Sequence, residues 1–299
     1  MSTGWAAAVF ARDEAPSLRA CLLALAKAAE GKALHVSVLL NGSRDGSAAI
    51  AIGAMRECGL RGAVHAIPQG DKSNAINQFI HRLRPPSETV FCLDGYVAVA
   101  PDALRLLAAR LDANPHAHAA AAVPSQGRSA AGLRRAMIEA PGLHGSLFAL
   151  RGTFVDRIAD LGLRLPVGFY RGDGLLGSFA LHDLDAVEGG WDGSRIAVEP
   201  AASWTLPQRH AASRHWQRRL QQGRGRLQWQ AIRAAIYPGG FSALPADADR
   251  ATLDWIAADP ARRPSLWRDP FAALALARMH PEPGLHGAAL LPALAYQCR

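Results

Sequence analysis

Asp94 closes an apolar run, "TVFCLD", at the point where a buried strand should end. A carboxylate there needs a partner: a metal, a ribose hydroxyl or a cation. Two positions on, where a second carboxylate would complete a metal-binding pair, stands Tyr96. A phenol donates a hydrogen bond well, but Mg²⁺ and Mn²⁺ want several oxygen ligands and tyrosine is a poor one. Asp173 lies in "FYRGDGLLG". Gly-Asp-Gly between apolar segments puts a carboxylate at a loop or helix start, as a base facing a cleft or as a helix cap. Lys72 opens the helical pattern "KSNAINQFIHRLRP". Its ammonium and the helix N–H groups suit a pyrophosphate, with a solvated lysine as the alternative. Asn41 ends a second apolar run; its amide either meets a base edge or closes the turn "NGSRDG". Asp45 reads as the cap of the next helix, and Asn74 and Asn77 as turn and packing groups.

These residues must be held by the elements around them. Over the first hundred residues, strand-like runs ("WAAAVFA", "HVSVLL", "AVHAIP", "TVFCLD") alternate with helical ones ("SLRACLLALAKAAEG", "SAAIAIGAMRECG"). That alternation predicts right-handed crossovers and a parallel, doubly wound sheet, with ligands at the carboxyl ends of its strands. Arg12, Asp13, Glu14, Asn41 and Asp94 all fall at such ends. Farther on, "PDALRLLAARLDANP" predicts a helix, "HAAAAVP" a strand, "LHGSLFALRG" a strand running into a turn, and "SRIAVEPAASW" a late strand. After about residue 205 the composition changes. A basic, tryptophan-bearing stretch, "QRHAASRHWQRRLQQGRGRLQWQAIR", leads into a helical, proline-punctuated tail. We therefore expect three regions: 1–100, 101–205 and 206–299.

The 299 residues are 49% hydrophobic and 19% charged, enough for a large core. A net charge of +8 favours anionic partners such as nucleotides, lipid head groups or nucleic acid. Cys21, Cys58, Cys92 and Cys298 show no metal spacing and read as reduced thiols. The opening "MSTGWAAAVFARDE" has no basic leader, and no apolar tract approaches the roughly 20 residues that span a bilayer. A soluble, cytoplasmic chain is the expectation. The stretch 209–226 has three readings: a solvated helix face, a cradle for donor or lipid-linked phosphates at the inner membrane surface, or a nucleic-acid surface using Trp216 and Trp229. No nucleic-acid motif accompanies the last, and no nucleic-acid partner is expected.

Taken in order, the fragments resemble a family-2 glycosyltransferase, an inverting enzyme of GT-A fold, over roughly residues 5–225. "FARDEAPSLRACLLAL" resembles its opening strand, turn and helix. "VSVLLNGSRDGSAAIA" is similar to its second strand and loop, with Leu40 and Asn41 in place of an acidic pair. "GDKSNAINQFI" resembles its Gly-Lys helix start, and "FCLDGYVAVAPDAL" falls where its Asp-x-Asp strand end belongs. "GSLFALRG" and "YRGDGLL" resemble the acceptor-side strand and the segment carrying the catalytic acid. "SRHWQRRLQQG" matches the family's Gln-x-x-Arg-Trp helix only loosely.

The resemblance implies an α/β, Rossmann-like, mostly parallel sheet flanked by helices, with a helical C-terminal extension. It implies donor-binding roles for Ala11, Asp13, Glu14, Asn41 (to uracil or another base), Lys72, Asp94, Gly95 and Tyr96. Asp173 becomes the catalytic base, with His144, Gly145 and Arg171 on the acceptor side. The donor is a nucleotide sugar, UDP-linked by preference. The acceptor is a glycan, a lipid-linked molecule or a small molecule, as in bacterial-type glycan biosynthesis. Asp94 alone would serve a divalent cation (Mn²⁺ or Mg²⁺), so that ion is expected to be weakly held or dispensable. Two alternatives remain at this stage: a non-catalytic sugar-nucleotide or glycan-binding relative, and a nucleotidyltransferase with a similar sheet.

Overall fold

The computed structural model describes residues 4–127, 129–207, 212–279 and 290–298. Strand β1 (Trp5–Ala11), helix α1 (Ala15–Ala28), β2 (Leu34–Asn41), α2 (Ser47–Glu57), β3 (Arg61–Ile67), α3 (Lys72–Gln78) and β4 (Thr89–Asp94) alternate as the periodicity predicts. Next come β5 (Ala98–Val99), α4 (Ala103–Asp112), β6 (Ala119–Pro124), α5 (Ala130–Glu139), β7 (Leu147–Arg151), α6 (Gly152–Asp160), α7 (Gly172–Leu181) and β8 (Ile196–Thr205). The C-terminal region holds α8 (Ala212–Gly239), α9 (Ala248–Ala257), α10 (Pro270–Leu276) and β9 (Ala293–Cys298).

The nine strands of the described residues form one sheet in the order β5-β8-β6-β7-β4-β1-β2-β3-β9. Strands β3, β2, β1 and β4 are mutually parallel, β6 and β8 run with them, and β5, β7 and β9 run against. The sheet is thus mostly parallel and flanked by helices. Its two faces bury separate cores because successive strand side chains point opposite ways. On one face Ala7, Val9 and Ala11 meet α1, α2 and α4 through Leu22, Met55 and Leu107. On the other, Ala6, Ala8 and Phe10 belong to the core that holds Ile76 of α3, Phe154 of α6, Phe179 of α7 and Ile232 of α8.

Three features depart from the sequence reading. The tail is not wholly helical: β9 pairs antiparallel with β3. An open sheet edge is a row of unpaired backbone groups, and this strand covers it. The segment after β7 is the helix α6 rather than a turn. Gly152 begins it where a Cβ would lie 1.8 Å from the Ser87 carbonyl oxygen, so the glycine serves close backbone approach as well as direction change. The third departure is α5, which the loosened pattern after residue 124 did not disclose. All four cysteines are free thiols, and burial pushes Cys21 and Cys92 up to about 12. No helix among the described residues is long and apolar enough to cross a membrane.

The fold's bearing on chemistry runs through α3. Its buried polar residues are tied to the loop before α7. Asn77 donates to the Leu165 carbonyl at 2.8 Å and accepts the Leu165 N–H at 2.9 Å; Ser73 donates to the Phe169 carbonyl at 2.7 Å. Asn77→Ala leaves two buried backbone groups unpaired, which costs about 2 kcal/mol or more. We expect its melting temperature to fall by roughly 4–8 °C. Thermal unfolding followed by circular dichroism checks this, and an unchanged midpoint would show that the α3 tie carries no stability.

Candidate active site

Three loops leave the carboxyl ends of β1, β2 and β3 and lock together. Asp13 adopts a left-handed backbone (φ 52°); its carboxylate accepts the Arg44 N–H at 2.7 Å, and its own N–H donates to Ser43 Oγ at 3.2 Å. Arg12 donates to the Gly70 carbonyl at 3.2 Å. Gly42 (φ 72°) lies so near Gly70 that a Cβ would come 2.5 Å from its Cα. Asp45 accepts the N–H groups of both Ala15 and Ser47 at 3.0 Å, at the starts of α1 and α2, while the N-cap position of α2 itself belongs to Gly46. Glu14 is buried; its N–H donates to Ser47 Oγ, and its carboxylate accepts from Ser17 Oγ at 2.8 Å.

Asn41 takes a third course beside the two weighed from sequence. It is buried, and its side-chain N–H donates across the sheet to the Ala11 carbonyl at 3.0 Å, bracing the ends of β1 and β2. Ala11 and Gly95 are packing positions as well. A Cβ on Gly95 would stand 2.8 Å from that of Ala11, and the Gly95 N–H bonds the Phe10 carbonyl at 2.8 Å.

The charged centre lies where β4 meets α3. Asp71 caps α3, accepting the Asn74 N–H at 3.0 Å, and its other oxygen takes the Gly168 N–H. The cap sets the direction of Lys72, whose ammonium pairs with Asp94 Oδ1. Tyr96 donates its hydroxyl to Asp94 Oδ2 at 2.8 Å. Burial alone would push the Lys72 pKa down, but the Asp94 and Asp173 carboxylates hold it above the ordinary lysine value. The ammonium is therefore charged throughout the neutral range. Its contribution to stability is complete below lysine's ordinary pKa and is lost only as pH rises through the elevated one. Burial, then Asp94, pushes the Tyr96 phenol far up, so it remains a donor.

Asp173 sits in the first turn of α7, where a negative charge suits the helix dipole. The N-cap position belongs to Arg171. Asp173 accepts the Gly145 N–H at 2.7 Å and the Gly174 N–H at 2.9 Å. Gly145 is the hub. A Cβ there would lie 2.7 Å from Lys72 Nζ, 3.2 Å from Asp173 Oδ2 and 3.6 Å from Asp94 Oδ2. The structure thus gathers Lys72, Asp94, Tyr96, Gly145 and Asp173 into one cluster. His144 stacks on Trp204 with ring centroids 5.1 Å apart, and burial keeps its imidazole low-pKa despite Asp173 and Asp94 nearby. Arg171 is exposed, its stem beside the position of Gly225 in α8. The segment His182–Asp185 forms a turn after α7, with Asp183 bonded to Arg157 and His118.

Sequence reasoning missed two supports. Asp71 carries a legible signal, an acidic N-cap directly before a helix. Gln228 carries none. Fully buried in α8, it accepts the Tyr170 N–H at 3.0 Å and donates to the Gly168 carbonyl and Asp249 at 2.8 Å, gripping the same loop that α3 holds. Of the stretch 209–226, residues 209–211 lie outside the described residues, as do the side chains through His215. The remainder is not one solvated face. Arg224 forms a two-pronged pair with Asp249 and Arg226 another with Asp269, Arg219 covers the Phe271 ring at 4.7 Å, and the charge of exposed Arg218 acts on Tyr96, His144 and Tyr170. Trp216, half exposed, meets the Phe271 ring edge-on, and Trp229 stacks on Phe169, so both indoles are engaged within the protein.

The sequence matches glycosyl transferase family 2 over residues 7–166. The chain belongs to that family. No curated protein matches it in sequence. Among solved structures, a mannosyltransferase from Pyrobaculum calidifontis, in complex with GDP-mannose and Mn²⁺, is similar at 19% identity; the match covers 93% of this chain and 80% of that one, with a TM-score of 0.59. Residues 1–349 of TarS from S. aureus, with UDP-GlcNAc, match at 14% identity over 93% and 80%, TM-score 0.55. Glucosyl-3-phosphoglycerate synthase from Mycobacterium tuberculosis, with Mn²⁺, UDP and its product, matches at 16% over 74% and 78%, TM-score 0.52. At these identities the likeness is one of fold, that of the GT-A glycosyltransferases.

Two of those structures hold Mn²⁺, and a divalent ion needs several hard oxygens. Here Asp94 offers one carboxylate, and both of its oxygens are engaged. Among the described residues no group of three His, Cys, Asp or Glu side chains converges to hold an ion. This donor set does not fit a divalent metal. Gly145→Ala tests whether the cluster works as a unit. The added methyl meets the Lys72 ammonium, the end of a flexible side chain, so the fold should survive while the cluster is displaced. We expect a melting temperature within a few degrees of wild type and a loss of glycosyl transfer of about tenfold or more. Full activity would show that the opening at Gly145 is not needed.

Proposed function

We propose that this glycosyltransferase moves a sugar from a nucleotide sugar, UDP-linked by preference, to an acceptor hydroxyl with inversion at the anomeric carbon. The observation that carries this reading is the convergence of Asp173 and the Lys72–Asp94 pair around Gly145. A carboxylate able to take a proton stands beside a cation able to meet a departing diphosphate. Asp173 removes the proton of the acceptor hydroxyl, and that oxygen attacks the anomeric carbon from the face opposite the nucleotide. The carbon–oxygen bond to the diphosphate breaks, and its electron pair leaves with the phosphate.

The interlocked loops of Arg12–Glu14, Asn41–Asp45 and Gly70–Lys72 form the nucleoside side, with Asp94, Gly95 and Tyr96 at the ribose and diphosphate. On this reading Asn41 acts by fixing the strand ends from which those loops spring. His144, Gly145 and Arg171 border the acceptor, so residues 1–100 serve the donor and 101–205 the acceptor. UDP is preferred because two of the three similar structures described above carry uridine nucleotides. We assign the chain to cytoplasmic, bacterial-type glycan biosynthesis. A lipid-linked acceptor would bring the exposed face of Arg218 and Arg219 to the inner membrane surface. Bound divalent cation is weak or dispensable, since the donor set at Asp94 is incomplete.

Asp173→Asn is the direct test. General-base help is worth about 10²–10⁴-fold, so transfer from UDP-sugars should fall by that range while UDP affinity, measured by calorimetry, stays near wild type. Retained turnover would remove Asp173 from the chemistry. Wild-type protein that binds UDP-sugars yet transfers nothing to any hydroxyl acceptor would favour the non-catalytic binding relative.

A further inference from the structure

We propose that the Lys72 ammonium is the built-in cation of this site and takes the place of a bound divalent metal in neutralising the donor's diphosphate. The inference deepens the glycosyltransferase reading and rests on it.

Charge balance is the first ground. A pair of carboxylates with a divalent ion is neutral. Replacing the second carboxylate by Tyr96 removes one negative charge, and the single ammonium balances the Asp94 carboxylate it pairs with. A divalent ion added to Asp94 and Lys72 together would instead face a neighbouring like charge, which disfavours its binding.

Geometry is the second ground. Both Asp94 oxygens already accept, Oδ1 from Lys72 and Oδ2 from the Tyr96 hydroxyl, so an ion would compete with both for the lone pairs of a single protein carboxylate. Lys72 is anchored at the first position of α3 by the Asp71 cap, and its ammonium lies 5.7 Å from the centre of the Phe10 ring, a further attraction for a cation. The ammonium also reaches the opening left by the missing side chain of Gly145, on the side where Asp173 lies. An ammonium has three N–H donors, and the Asp94 oxygen uses one. Among the described residues Asp94 is the hydrogen-bond acceptor the ammonium meets, and the other N–H groups can turn to diphosphate oxygens as the sugar–phosphate bond breaks. No proton leaves Lys72 in that step. It stays charged and hydrogen-bonds the departing group.

The experiment is calorimetric titration of UDP and of GDP into the full chain, in EDTA and again in Mn²⁺, for wild type, Lys72→Met, Lys72→Arg and Tyr96→Asp. We expect the wild-type affinity for the preferred diphosphate to agree within about twofold between EDTA and Mn²⁺. Lys72→Met should weaken binding by roughly tenfold or more, as for loss of one charge-assisted hydrogen bond, with no recovery in Mn²⁺. Lys72→Arg should keep most of the affinity. Tyr96→Asp, which restores the second carboxylate, should make binding depend on Mn²⁺. Thermal melts establish that each variant is folded; if Lys72→Met does not fold, the wild-type and Tyr96→Asp arms decide. Wild-type binding that strengthens tenfold or more in Mn²⁺, or a folded Lys72→Met that binds as wild type does, would overturn the assignment and leave the glycosyltransferase reading intact. Folded wild type that binds no nucleoside diphosphate in either condition would sink both.

Discussion

A carboxylate at the end of a buried strand must be compensated, and the pairing of Asp94 with Lys72 meets that requirement by joining two elements distant in sequence. Strand β4 delivers the charge and α3 delivers its partner. Because the side chain of Asp94 is only 13% exposed, water does little of the compensating, and the position of α3 relative to the sheet is tightly constrained. The Asp71 cap, the Tyr96 hydroxyl and the side-chain-free Gly145 are all consequences of that constraint. The first orients the ammonium, the second occupies the remaining carboxylate oxygen, and the third leaves room for both.

The same helix transmits the constraint to the side where Asp173 lies. Asp71, Ser73 and Asn77, on one short helix, bond backbone groups of Gly168, Phe169 and Leu165, the loop that leads into α7. From the other flank Gln228 of α8 holds Gly168 and Tyr170. A loop fixed from both sides behaves as part of the scaffold, which the general base proposed at Asp173 would require. Gly172 completes the docking. A Cβ there would come 2.9 Å from Ser73 Oγ, so any larger residue would push α7, and Asp173 with it, away from α3.

Legibility in the sequence followed the range of the interactions. The strands and helices of the first hundred residues are set by local periodicity, and they stand where the pattern puts them. The positions of Asp94 and Asp173 were readable because a strand end and a glycine-flanked turn are local events. Asn41 was not, because its role depends on Ala11, 30 residues away across the sheet. The same holds for β9: nothing in "ALAYQC" announces a strand until β3 presents an open edge. Gln228 is the extreme case, a glutamine in a polar-looking stretch whose burial is decided wholly by the loop it meets.

The basic stretch shows the same logic at the level of charge. A run of arginines reads as a uniform face, but a helix turns by about 100° per residue and divides it. Arg219 and Arg226, seven apart, share a side, and both meet α10, at Phe271 and Asp269. Arg224 lies on another side and is spent on Asp249 of α9. These contacts secure the C-terminal helices to α8, and Gln228 in turn secures α8 to the loop before α7. Arg218, one position before Arg219 and so about 100° around the helix, misses α10 and acts instead on Tyr96, His144 and Tyr170. One helix therefore both braces the loop before α7 and adds positive charge near Asp94 and Asp173. The net charge of the chain says nothing of this division, because it arises from helical phase and from the acidic residues that α9 and α10 bring to meet it.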